Sequence, residues 1–387
     1  MTIRVGLLND SFPPTIDGVA NTVYNYARVI QKGLGETVVI TPKYPHVQDA
    51  YPFEVYRVPS FPMPKRVGYR MGNAFSKSTI DDLAGRKLDI LHSHCPFASS
   101  VLATLVRKKT KAPIVFTYHT RFDVDIERRA IKPFDVIMKK LVKQNLRAAN
   151  EIWIVSQGAA GSLRQMGYNG PYRVMENGTD FPRGLSSAET LSEINRAYNI
   201  TPGQLVFLFT GRMMWYKGIK IILDALRAVK DNGVDFKMFF AGDGMDMPYI
   251  VQYTESLGLM PSVVFLGAVY DRERLRSFFS RANLFIFPST YDTSGLVVKE
   301  AAACDLPSVL VRNSCPAEGV KNGVSGFLCE ENAESCARVI LAAVSDRARL
   351  AQVGRTAGQE VYLSWDDAAT RGFRRYEEIL ASWPGEY

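Results

Sequence analysis

Two carboxylates, Asp292 and Glu300, stand with seven residues between them in YDTSGLVVKE, and this stretch holds the residue types best suited to chemistry. A carboxylate accepts hydrogens from hydroxyls in pairs, which suits a sugar. Between the two, Ser294-Gly295 breaks an apolar pattern that resumes at helical spacing from Leu296 to Cys304. A helix starting there presents the backbone N–H groups of Leu296 and Val297 and the positive end of its dipole, which suits a phosphate. A second pair, Arg212 and Lys217 in GRMMWYKG, lies five residues apart across a strand-to-helix turn, so both cations can reach one anion. Taken alone, that pair reads as a surface Arg and Lys beside a turn. An anion cradle flanked by hydroxyl-accepting carboxylates describes a nucleotide-sugar site.

Other groups are candidates for different chemistry. His92, His94 and His119 each end a predicted strand and could suggest a metal, but neither HExxH nor a carboxylate at matching spacing accompanies them. His94, in LHSHCP, is expected to hold strand-end backbone. Asp123-Val124-Asp125 is a DxD triplet, a type that binds divalent cations in GT-A enzymes; such triplets are common by chance, and the strand pattern here is of another kind. The expectation is no metal and no cofactor. Five cysteines without a CxxC pair read as reduced thiols in a cytosolic protein.

The elements that must position these residues follow from hydrophobic patterning. Apolar runs at 3–8, 38–40, 90–92, 114–117 and 152–155, then at 206–209, 237–241, 263–266, 284–287 and 308–311, alternate with helical stretches. Continuous apolar strands between helices predict two doubly wound parallel sheets. The boundary falls near NGTDFPRGL, residues 177–185, rich in Gly, Pro and polar residues. A chain of 387 residues suffices for two cores. No apolar run approaches the roughly 18 residues of a membrane span, and Ile3 to Leu8 reads as a strand instead of a signal peptide.

The acidic stretch resembles the signature of the retaining glycosyltransferases of family 4, with Asp292 in the first place and Glu300 in the second. The resemblance implies a GT-B fold: an α/β architecture of two doubly wound Rossmann-like domains facing a cleft. It implies an acceptor-side domain over 1–180, a donor-nucleotide domain over 181–364, and a helix over 365–387 that returns to the first. It also implies metal-independent transfer of a hexose from a nucleoside-diphosphate sugar, UDP-glucose or UDP-galactose being preferred here. Arg212 and Lys217 then match the residues that bind the donor diphosphate, and Gly18 matches a glycine that approaches it. Main-chain groups near Val269 match those that read the base, although nothing in the sequence separates uracil from guanine or adenine. His119, in VFTYHTRF, matches a histidine near the donor sugar. Glu300 is expected on the ribose and Asp292 on the hydroxyls of the sugar.

The same TYHTRF is similar to bacterial transferases that glycosylate diacylglycerol, which implies a lipid acceptor and a peripheral place at an anionic membrane surface. Charge agrees in sign. Residues 1–180 carry 25 Lys/Arg against 15 Asp/Glu, whereas 181–387 carry 22 against 24. Two stretches mix basic with apolar residues. In 61–77 there is no clean period; in 133–147, Phe134, Ile137, Met138, Leu141 and Val142 read as one apolar face, with Lys140, Lys143 and Arg147 on another and Lys132 and Lys139 nearby. The first reading of the second stretch is a core-packing helix with a solvated basic back, and an interfacial helix is the alternative. Three rivals stay open: a transferase acting on a soluble or polysaccharide acceptor, a sugar-nucleotide epimerase, and a non-catalytic membrane- or nucleic-acid-binding protein. Against nucleic acid, no RRM, KH or helix-turn-helix pattern accompanies the basic half.

Overall fold

Runs such as VFLF and LFIF have no polar face to offer water, so they lie inside sheets covered by helices on both sides. In the computed structural model, which describes residues 2–15, 17–63, 70–122 and 134–385, these runs build two parallel sheets in two units. One unit is Met1–Asn177 with Trp365–Tyr387, and the other is Gly178–Ser364.

The first sheet is built from β1 (Arg4–Leu8), β2 (Glu36–Pro42), β3 (Glu54–Val58), β6 (Ile90–Ser93), β7 (Ile114–Tyr118), β8 (Glu151–Ile154) and β9 (Arg173–Val174). A small antiparallel hairpin, β4 (Ser60–Pro62) with β5 (Arg70–Gly72), stands apart from it. The sheet order is β3-β2-β1-β6-β7-β8-β9. The second sheet uses β10 (Leu205–Thr210), β11 (Phe236–Ala241), β12 (Val263–Gly267), β13 (Leu284–Phe287), β14 (Ser308–Val311) and β15 (Phe327–Cys329) in the order β12-β11-β10-β13-β14-β15. In each sheet the strand order reverses beside the first strand, between β1 and β6 and again between β10 and β13. Such a switch point opens a crevice at the carboxyl ends of the strands, where ligands of doubly wound sheets bind.

The final helix, Trp365–Ser382, belongs to the first unit for reasons visible in its side chains. Trp365 is buried with its ring edge-on to Tyr26. Tyr376 stacks on Trp153 at 5.4 Å, and Arg375 Nε donates to Glu151 at 2.9 Å. Gly372 lets the helix close on Tyr26, because a Cβ there would sit 2.8 Å from the ring.

The helix Phe134–Ala148 corrects the sequence expectation. Its inward face is Val142, Asn145 and Leu146, with Asn145 Nδ2 donating to the Pro96 carbonyl at 2.8 Å. Ile137, expected on the apolar face, is 60% exposed, and Val136 is 65% exposed. Of the expected face, Val142 is buried and Met138 packs on the same core, so the buried stripe keeps part of that face, adds Leu146 and leaves Ile137 outside. Of the stretch 61–77, residues 64–69 lie outside the described residues, and so does the DxD of Asp123 and Asp125. No helix among the described residues is long and apolar enough to cross a membrane.

Candidate active site

The second unit gathers its candidate residues at its switch point. From the end of β10 the chain runs through Gly211 and Arg212 into a short 3-10 turn, Trp215–Lys217, and then the helix Ile219–Asp231. This turn points Lys217 inward, leaving its side chain 7% exposed, while Arg212 stays at the surface. From the end of β13 the chain runs through Ser289 and Asp292 to Gly295 and the helix Leu296–Ala303. Lys217 Nζ donates to Asp292 Oδ1 at 2.6 Å, and Ser289 Oγ donates to Asp292 Oδ2 at 2.5 Å. The Tyr216 and Tyr291 rings lie 5.7 Å from the same ammonium.

Ser294 and Gly295 form the entry to the helix. Gly295 has φ +55°, and a Cβ on it would lie 2.9 Å from the Pro316 Cα, so only glycine brings the chain into this turn without strain. No side chain caps this helix. Its first N–H groups, those of Leu296 and Val297, therefore have no intrahelical acceptor and no capping side chain. The first unit differs at its matching helix, Gly18–Gly33: the Asp17 carboxylate accepts from Val19 N at 2.9 Å and Ala20 N at 2.7 Å. Gly18 thus lies beside a helix N-terminus that already has its anion.

Glu300 is buried on the inner side of its helix. Burial pushes its carboxyl up from the ordinary range, and Arg272 draws it part of the way back. Arg272 Nη2 donates to Glu300 Oε1 at 2.6 Å, its Nε donates to Asp180 Oδ2 at 2.9 Å, and its guanidinium lies 4.4 Å from the centroid of the Phe181 ring. Arg272 and Asp180 escaped the sequence reading because RERLR looks like any charged helix start and no motif marks it. A prediction follows from the raised carboxyl. A carboxyl whose pKa is raised on folding loses stability as pH rises through its folded value. Removing Arg272 raises it further, so Arg272→Ala destabilises more at pH 8 than at pH 5. At pH 8 the loss is about 2 kcal/mol, below the roughly 3–5 of orphaning a fully buried charge, since Arg272 is itself 42% exposed. Thermal midpoints of both proteins across that range check it; a constant gap would refute it.

Gly242, on the strand end after β11, has an ordinary explanation: φ is +144°, and a Cβ would lie 1.9 Å from the Gly211 carbonyl oxygen. Val269 follows β12 and is half-buried.

In the first unit His92, His94 and His119 are all buried. His94 Nδ1 and His119 Nε2 are hydrogen-bonded at 2.9 Å. His92 is bonded through Nε2 to Thr117 Oγ1 at 2.7 Å and through Nδ1 to the Tyr376 hydroxyl. The ring of His94 therefore serves His119, where strand-end backbone was expected. Burial lowers all three pKa values, that of His119 to about 3. Among the described residues, no group of three or more His, Cys, Asp or Glu could hold a metal ion.

A family model described as "Glycosyltransferase Family 4" matches residues 16–183, and one described as "Glycosyl transferases group 1" matches 192–360. The chain is 26% identical to an alpha-monoglucosyldiacylglycerol synthase of Streptococcus pneumoniae over 79% of its length and 70% of that protein. It is 26% identical to the sulfoquinovosyl transferase SQD2 of Arabidopsis thaliana over 98% of its length and 74% of that protein. Sucrose-phosphate synthase from Thermosynechococcus elongatus, 18% identical, superposes over 98% of this chain and 100% of that one with a TM-score of 0.79, which shows the fold. With one model on each parallel sheet and the GT-B fold shared, the chain belongs to the family 4 glycosyltransferases.

Proposed function

We propose that the chain is a retaining hexosyltransferase that moves a hexose from UDP-glucose or UDP-galactose to a hydroxyl of a membrane lipid, diacylglycerol or a glycosylated relative. The observation that carries the donor side is the convergence, at one switch point, of Lys217, Asp292 and an uncapped helix N-terminus. Arg212, Lys217 and the N–H groups of Leu296 and Val297 receive the diphosphate, with Ser294 and Gly295 shaping the turn. Asp292 accepts from hydroxyls of the sugar and Glu300 from those of the ribose. Main chain at Val269 borders the base. In front-face substitution the bond to the diphosphate breaks while the acceptor hydroxyl attacks from the same side. The leaving phosphate takes the proton of that hydroxyl, so no strong protein base is needed. The task of the protein is to stabilise the charge growing on the diphosphate.

The lipid acceptor is supported by the relative whose name carries monoglucosyldiacylglycerol, and by the basic balance of residues 1–180. Exposed Val136 and Ile137 beside exposed Lys140 and Arg147 suit shallow insertion into an anionic leaflet, with roughly 1 kcal/mol from each basic residue. The test offers radiolabelled UDP-glucose, UDP-galactose and GDP-mannose with anionic liposomes containing diacylglycerol, and in parallel with soluble sugars. Label should pass into the lipid phase from a UDP-sugar, and Val136→Asp with Ile137→Asp should lower that transfer several-fold without changing nucleotide affinity. Label found only in soluble product would overturn the lipid acceptor, and transfer only from GDP-mannose would overturn the donor.

A further inference from the structure

The proposed donor site makes opposite demands on Lys217 and Asp292. One is to meet phosphate and the other to meet sugar hydroxyls, yet here each satisfies the other. The ammonium is 7% exposed and the carboxylate 26% exposed, with 2.6 Å between Nζ and Oδ1. Ser289 holds the second carboxylate oxygen from its own strand end at 2.5 Å. A cation enclosed to this degree needs a counter-charge, and Asp292 supplies it.

A diphosphate arriving at Lys217 therefore meets a cation already neutralised, with a negative charge directly beyond it. A phosphate oxygen within hydrogen-bond reach of Nζ lies within several ångströms of the Asp292 carboxylate, and like charges so placed repel. What offsets that repulsion is a hydrogen donor for Asp292. A nucleoside diphosphate carries none on its terminal phosphate, whereas the sugar of an intact donor carries several hydroxyls. Resting on the donor site argued above, we propose that Asp292 is a specificity-determining residue that makes the site favour the sugar-loaded donor over the spent nucleoside diphosphate. It is the counter-ion of Lys217 in the empty site and the hydroxyl acceptor in the loaded one. Once the sugar has left, it is a like-charge neighbour of the product, which speeds release. The carboxylate is partly exposed, so it can make this exchange by small rotations without opening the fold.

The test is calorimetric titration, without acceptor, of UDP, UDP-glucose, GDP and GDP-mannose into the wild type, Asp292→Asn and Ser289→Ala. Asp292→Asn should bind the bare diphosphate about tenfold more tightly, and the preference for sugar-loaded over bare ligand should fall at least as far. Ser289→Ala, which takes one hydrogen donor from the Asp292 carboxylate without removing its charge, should weaken binding of the bare ligand by a smaller factor. An Asp292→Asn protein that binds the bare diphosphate equally or more weakly overturns the inference. Should that variant fail to fold, an unchanged affinity in Ser289→Ala overturns it. A wild type that binds none of the four ligands overturns the donor-site reading instead.

Discussion

Lys217→Ala lowers the turnover of sugar transfer by about 10²–10³-fold, the cost of removing one electrostatic donor from a site where charge develops. The reasoning starts from its burial. Lys217 Nζ is almost wholly enclosed, between two tyrosine rings and a carboxylate, so it acts in a medium poorer in water than bulk solvent. There a cation facing a phosphate is worth far more than at the surface. Because the charge on the diphosphate grows as the glycosidic bond breaks, the loss falls on kcat and not on KM alone. Arg212 is exposed, its charge is screened, and Arg212→Ala costs only about tenfold by the same argument. Steady-state kinetics with a saturating acceptor measure both. Near wild-type kcat in both variants would remove the diphosphate from this switch point, and a larger loss at Arg212 than at Lys217 would reverse the electrostatic ranking.

How much of this was legible beforehand differs from element to element. LFIF and VFLF announce their strands because they are apolar on both faces, and a parallel sheet between helices is the arrangement that hides both. β3 was missed: its EVYRV interleaves charge with apolar residues, as an edge strand covered on one side can. The turn at Gly295 and the nearby carboxylates were readable since a motif is local, and local chemistry is what spacing reports. Partners far apart in the chain were not. Arg272 and Glu300 are separated by 28 residues, and His92 and Tyr376 by 284. No period in either segment carries their meeting, which comes from the strand order and from the return of the last helix to the first unit. The helix Phe134–Ala148 makes the same point from the other side. Its spacing gave Val142, and only the sheet beside it added Leu146 and left Ile137 exposed.

The three buried histidines lead to a large effect that owes nothing to the donor site. His92, His94 and His119 are held neutral, since burial lowers each pKa, with neighbouring imidazoles adding to the shift of His92 and His94. Their ring bonds are His92 with Thr117 and Tyr376, and His94 with His119. In the unfolded chain each titrates near the ordinary value of about 6.5. A group whose folded pKa is depressed gives stability that is present above the unfolded value and lost as pH falls below it. Three such groups together remove roughly 4 kcal/mol per pH unit once pH is well below 6.5, which approaches the whole stability of an average domain within two units. Asp10, a buried carboxyl of the same unit, is shifted upward by burial and acts in the opposite sense nearer its own range. Denaturant unfolding of the first unit's tryptophan signal, Trp153 and Trp365 being buried there, should show this slope. His94→Gln should reduce the proton uptake on unfolding from about three towards two, while lowering stability at pH 7.5 through the lost bond to His119. Stability that stays constant from pH 7 to 5 would mean that the three rings carry their protons in the folded protein, and the hydrogen-bonded cluster would have to be redrawn with charged imidazoles.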